Sequence, residues 1–484
     1  MAFKHRGLFA KIKHKTNESR HVMKRRHFLR SLRNSQPVRL GKRWFGLSAV
    51  ALTALGFLGT QAGATNIDLD PTGGKKEAGG DYNFKYGNLR LGLTGAFSVG
   101  YDDNITQGNT YNDDNSNDYN NNQRVRGWFV EPALTLGINW PVSPYLSITS
   151  SIGAGYRYYV DHENLSDWFL TGDGAGVSTQ IKADFKLGQT GVLTVYDKIS
   201  RDIDSLQLDA RRGNNNNNNN NDANRYAELK NEAGVQYAND LSEVMHNTVK
   251  YAHTNVWVTP SSEDYQSYES DMLDEVFLHD INKNLQLGPY VTVTNTRFQK
   301  EEQTLNARHN DSWMYEGGLA GVYVRDSGFS LNGRVGYQYV KFNDQNPVAN
   351  ADGGDTQTSP SMSLSANFAT SELTSHTFFA SYGISQQNLS VNTNSSLQMQ
   401  AGYAIAVRVM DRLTLGGDVS WINYQDDNSY GENANLYRYG IGPSYVLSPR
   451  STLSLRYEYT DKVSNEEFNS YDRSFIKMTV TYKF

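Results

Sequence analysis

From Ile476 to Phe484 the chain alternates without a break. Phe484, Tyr482, Val480, Met478 and Ile476 are apolar, and Lys483, Thr481, Thr479 and Lys477 between them are polar. Successive strand side chains point to opposite faces, so this run is a strand with one greasy face and one wet face. The apolar parity ends on an aromatic, and the strand runs to the terminal carboxylate. One such strand could belong to many sheets. Its repetition along the chain is what narrows the fold.

It repeats. Leu89 to Tyr101 sets Leu89, Leu91, Leu93, Phe97 and Val99 on one face, and Trp128 to Trp140 does the same with Trp128, Val130, Leu134, Leu136 and Ile138. Leu146 to Tyr158, Leu397 to Val409, Leu413 to Trp421, Tyr437 to Leu447 and Leu453 to Tyr459 follow the rule; the stretch from about 190 to 280 alternates less cleanly. The connectors alternate too. Short ones (141–144, 188–190, 326–328, 411–412, 448–450) take turns with long polar ones (102–124, 161–175, 202–225, 343–358, 425–434). Short turns on one side and long loops on the other are the asymmetry of a transmembrane barrel. The expected fold is therefore all-β: an antiparallel up-and-down β-barrel over residues 88–484, of about 18 strands with 16 to 20 compatible, its last strand ending at Phe484. An even count puts both ends of the barrel on the short-turn, periplasmic side.

A mean hydropathy of -0.62 does not exclude a membrane, because only alternate strand residues of a barrel face lipid. Residues 44–64 are uncharged, end in Ala62-Gly63-Ala64 and follow a basic stretch, the parts of a secretory signal peptide with a long n-region. The expected division is 1–64 signal peptide, 65–87 short periplasmic segment and 88–484 barrel. Arg25-Arg26 looks like a twin-arginine motif but lies far from the apolar core, and Met23 is an alternative start. Removing the leader's charge of +13 from the chain's -5 leaves -18, which argues against nucleic acid as a partner. The runs 112–123 and 213–224 are Asn/Asp-rich and read as solvated loop. Asp102-Asp103-Asn104 and Asp352-Gly353-Gly354-Asp355 do not match an EF-hand loop.

If the apolar parity faces lipid, the other lines the pore. Near both ends of the chain that set contains Arg90, Arg157, Arg334, Arg408, Arg438, Arg456 and Lys477, relieved by Glu131, Asp418 and Glu458. On the middle strands the expected set is acidic: Glu228, Glu232, Glu269, Asp271 and Glu275, with Lys182, Lys186 and Lys230 nearby. Opposed basic and acidic walls would impose a transverse field; the simpler alternative is pairing across neighbouring strands. Tyr159, Tyr196 and Phe379 are inward candidates for stacking on sugar rings. His279-Asp280 and Asp161-His162 are sequence neighbours whose strand side chains point to opposite faces, so they do not form a hydrolase pair. The residues suggest no catalytic, cofactor or metal site, and no enzyme.

Gly100-Tyr101-Asp102-Asp103-Asn104-Ile105 resembles the opening of the putative beta-barrel porin 2 family, and the C-terminal strand resembles the signal read by the barrel assembly machinery. The family resemblance implies an outer-membrane pore, and for some members a part in exopolysaccharide or capsule export. The expected function is a plug-free porin-like channel for polar solutes, including saccharides, in the cell outer membrane, with lipid, lipopolysaccharide and the assembly machinery as partners. Two alternatives stay open: a polysaccharide export duct, and a surface-display or adhesion barrel with a closed lumen.

Overall fold

The computed structural model describes residues 82–105, 124–170, 179–202, 227–259, 267–298, 311–325, 328–343, 356–386, 395–426, 432–465 and 470–484. The leader, the runs 112–123 and 213–224, and Asp352–Asp355 lie outside them. Strands account for nearly all of the described residues. The first seven are β1 (Phe84–Tyr86), β2 (Leu89–Asp102), β3 (Gly127–Ser143), β4 (Leu146–Tyr159), β5 (Asp167–Phe169), β6 (Thr179–Leu187) and β7 (Gly191–Asp202). Next come β8 (Ala227–Ser242), β9 (Met245–Thr259), β10 (Tyr268–Asn282), β11 (Leu285–Phe298), β12 (Ser312–Arg325) and β13 (Phe329–Phe342). The last are β14 (Thr356–Ser371), β15 (Thr374–Ser385), β16 (Ser396–Met410), β17 (Leu413–Asp426), β18 (Asn433–Ser448), β19 (Ser451–Ser464) and β20 (Tyr471–Lys483).

Each long strand pairs antiparallel with its sequence neighbours, and β20 returns to pair with β2, Lys483 opposite Thr94 and Phe475 opposite Asp102. The wall is a closed barrel of 18 strands. Closure removes the unpaired edges that an open sheet would expose. The two remaining strands are short fillers. β5 pairs with the upper part of β4, above the stretch of β4 that pairs with β6. β1 pairs with β2 at Phe84 opposite Leu91, just beyond the point where Phe484 bonds Leu93, so it covers the edge that β20 leaves open.

The two faces of the wall differ in chemistry. Outward are large apolar groups such as Phe97, Leu134, Ile152, Leu319, Val335, Ile441 and Val480, all exposed on the isolated barrel. Inward are polar and charged groups, many of them buried, including Asp102, Glu131, Arg157, Lys250, Asp274, Arg438 and Lys477. Toward the long-loop end the inward face turns apolar. Ile422, Tyr424, Ala434 and Leu436 form one inward cluster, Val256, Val258, Tyr268 and Phe298 a second, and Ile105, Phe129, Tyr159, Leu165 and Phe475 a third. The outward neighbours there are Asn423, Asn255, Glu269 and Arg297. The apolar parity therefore inverts near the end of each of these strands. This is why β17 runs on to Asp426 where alternation alone suggests an end at Trp421.

The inversion also corrects one expectation. Glu269, Asp271 and Glu275 stand on the outward face of β10, alternating with inward Asp274, Val276 and Leu278. The middle strands do not present an acidic inner wall made of these groups.

Candidate functional site: the charged waist of the lumen

Four groups of ion-paired side chains line the inner face, three of them toward mid-strand and the seam group nearer the long-loop ends of β3 and β4. At the closing seam, Arg157 of β4 donates from Nε to Glu131 of β3 at 2.7 Å, and Lys477 of β20 reaches the other oxygen of Glu131 at 3.4 Å. Both cations lie against the Phe475 ring, at 5.7 and 5.8 Å from its centroid. Phe475 stacks in turn on Phe129 at 5.3 Å. Cations held over aromatic faces and away from water gain more from the ring than exposed ones do. Just above, Arg473 donates to Asp102, which also accepts from Tyr159 and from the backbone N–H of Asn104. Asp103 is held by Arg124 at 2.6 Å. The acidic run 102–104 thus closes the seam and caps its own turn.

The second group lies on β17, β18 and β19. Arg456 holds both oxygens of Asp418 at 2.7 and 3.1 Å, and Arg438 donates to Glu458, which Arg456 also approaches at 3.4 Å. In the third group, on β7, β8 and β9, Glu232 is shared. Its Oε1 accepts from the Tyr196 hydroxyl at 2.9 Å and faces Lys250 at 3.3 Å and Lys198 at 3.6 Å. The fourth spans β10 to β14. Arg334 lies over the Tyr290 ring and reaches Asp274 at 2.8 Å. Tyr290, Ser361 and Gln338 donate to Glu316 at 2.6, 2.9 and 2.9 Å.

Of the residues singled out from sequence, Arg157 and Lys477 meet at Glu131, and Arg438, Arg456, Asp418 and Glu458 form one network. Glu232 centres the third group and Arg334 belongs to the fourth. Glu228 is buried on the inner face, above Glu232 on β8. Arg90 and Arg408 sit at the short-turn end, opposite Asn139 and Thr414, apart from all four groups. Sequence reasoning missed Lys198, Lys250, Asp274, Glu316 and Arg473. The alternation of Leu193, Val195 and Ile199 could have placed Lys198 inward, had Asp197 not broken it. Tyr196 and Phe379 do point inward, but their rings lie on glycines of the neighbouring strand. A Cβ at Gly234 would fall 2.5 Å from Tyr196, and one at Gly402 2.3 Å from Phe379.

These pairs are not equal in their access to water. Arg157 and Glu131, and Lys462 and Glu432, are almost wholly enclosed. The side chains of Arg456 and Lys198 keep 33% and 36% exposure, and Lys182, paired with Asp184 at 3.0 Å, keeps 33%. Only charges of the second kind are open to the space inside the barrel. The first kind fix neighbouring strands to one another. Because each group carries both signs, the described residues of the waist form no basic wall opposed to an acidic one. Among the described residues, no group of three His, Cys, Asp or Glu is placed to hold a metal ion.

No curated protein matches the chain. Solved structures do match its shape. Pseudomonas aeruginosa OpdK, solved with vanillate, is 8% identical, with 81% of this chain and 99% of that one covered at a TM-score of 0.42. For P. aeruginosa OccK5 (OpdH) the figures are 9%, 82%, 98% and 0.42, and for Acinetobacter baumannii OccAB1 they are 11%, 84%, 100% and 0.41. Residues 280–484 match the family described as putative beta-barrel porin 2; Gly100–Ile105, on which the resemblance in the sequence rests, lies outside the matched residues.

Proposed function

We propose that the chain is an outer-membrane channel through which polar solutes diffuse, with saccharides among them. The observation that supports this reading most directly is the opposite chemistry of the two faces of one closed sheet. An apolar outward belt is stable against lipid, and an inner face of ion pairs and hydroxyls is stable only if wet or internally bonded. In this reading the belt meets lipid and lipopolysaccharide, and the assembly machinery engages β20 through its aromatic end. Residues 1–64 are the exported leader. Transport needs no covalent chemistry; the half-exposed waist charges set the preference among solutes.

The test is single-channel conductance of residues 65–484 refolded into a planar bilayer. Steady openings are expected. Arg456→Gln should shift ion selectivity toward cations, because the partly exposed guanidinium goes while Asp418 stays. Arg408→Gln, remote from the waist, should shift it far less. A folded barrel that resists detergent at room temperature yet passes no current would overturn the channel reading.

A further inference from the structure

Three outward positions break the apolar belt near its middle, and they lie within four successive strands. Glu275 is the central residue of β10, Asp197 is near the centre of β7, and His253 is one residue from the centre of β9. Among the described residues, no other strand has an outward Asp, Glu, Lys, Arg or His in its central third. Glu275 is surrounded by apolar groups: Leu273 and Phe277 along its strand, Val249 and Val291 across. Its bond is to Asn247 at 3.0 Å, and Asp197 likewise takes one from Asn231 at 2.5 Å. His253 meets Asp271, which also accepts from Tyr251. Carboxylates and amides at this depth are costly against hydrocarbon, which answers none of their hydrogen bonds.

We propose that the outward face of β8–β11 is a two-fold interface between two copies of this barrel, with Asp197 of β7 at its rim. This inference rests on the membrane reading above. Away from β7, β9 and β10 no described strand has an outward acid, base or imidazole in its central third, so of this chain's own surfaces the same sector of a second copy best answers Glu275 and His253. A two-fold axis along the membrane normal between β9 and β10 sets β10 of one copy against β9 of the other. Glu275 then faces the partner's Asn247 and the donor-bearing edge of β9, acceptor to donor, and the relation is reciprocal, as an isologous contact requires. Arg297, at 2.9 Å from Glu269 and 2.6 Å from Asp271, already offsets the acids nearer the loops. Four strands about 4.8 Å apart and a belt about 25 Å tall give roughly 500 Å² per copy. About 1,000 Å² in total is the size at which a specific interface becomes credible.

The chain has no cysteine, so single-cysteine variants report contacts cleanly. Leu273→Cys, beside the proposed axis, and Val335→Cys, equally exposed but on β13, are oxidised in outer membranes from cells making the full chain. A disulfide dimer from Leu273→Cys and little from Val335→Cys is the expected result. Adding Glu275→Leu with Asn247→Leu, which makes the sector resemble the rest of the belt, should lower the linked fraction severalfold while the barrel stays detergent-resistant. Equal linking at both positions, no linking at Leu273→Cys, or linking only to a different polypeptide would each overturn the two-fold interface. Absence of the chain from the outer-membrane fraction would instead sink the membrane reading itself.

Discussion

Glu131→Ala is expected to cost the barrel about 3–5 kcal/mol, the range for removing one partner of a buried ion pair. Arg157 and Lys477 both face that carboxylate, and all three groups are almost fully enclosed. The variant keeps two cations where one negative charge had offset them, in a place water does not reach. The loss should appear as a lower urea midpoint for the refolded barrel and as early loss of the compact gel mobility of unheated samples. Asp184→Asn is the internal comparison. Lys182 and Asp184 are a quarter to a third exposed, and such pairs contribute at most about 1 kcal/mol. Thr194 still has an oxygen to donate to at that position. Equal effects of the two substitutions would mean that the seam group is wetter than its burial implies.

The same distinction between enclosed and accessible charges explains what the sequence could reveal. Alternation gave the barrel, because a wall that is apolar outside and polar inside writes period two into every long strand, as in Leu319 and Val335 or Val480 and Tyr482. It failed where the environment changes along one strand. Beyond the belt the outward side is polar and the inward side packs, so Ile422 and Tyr424 fall on the parity opposite to Val419 and Trp421. A reader who takes apolar as outward then stops β17 too early and turns Glu269 and Asp271 to the wrong side. Parity also gives a face and never a partner. Arg438 finds Glu458 because turn lengths and the irregularity near Val446 set the β18–β19 register. Arg334 finds Asp274 three strands away by lying across the wall over Tyr290, which no local pattern encodes. The outward Glu275 was legible as an acid in an alternating run, but its side of the wall was not.

The second large effect is expected at the closure itself. Asp102 and Arg473 join the first and last barrel strands, and both are almost fully enclosed. Asp102→Leu alone should cost about 3–5 kcal/mol, because the guanidinium stays behind without its carboxylate. Asp102→Leu combined with Arg473→Met should recover part of that loss, since the stranded charge is gone and Phe129 and Phe475 already make the site apolar, while the Tyr159 hydroxyl and the Asn104 N–H still lack the oxygens that Asp102 gave them. Recovery in the double variant, measured as urea midpoints, would show that the single variant fails through a stranded charge. If the double variant is as unstable as the single one, the shape of the pair matters more than its charge. The kinetics should follow from chain length. Contact between strands 371 residues apart carries a large loop-closure cost and is favoured only after the intervening hairpins have formed. The pair should therefore form late, so that Asp102→Leu mainly speeds unfolding and leaves early hairpin assembly little changed. Protease-sensitive, unclosed barrels should then accumulate during refolding of the single variant. They should be fewer in the double.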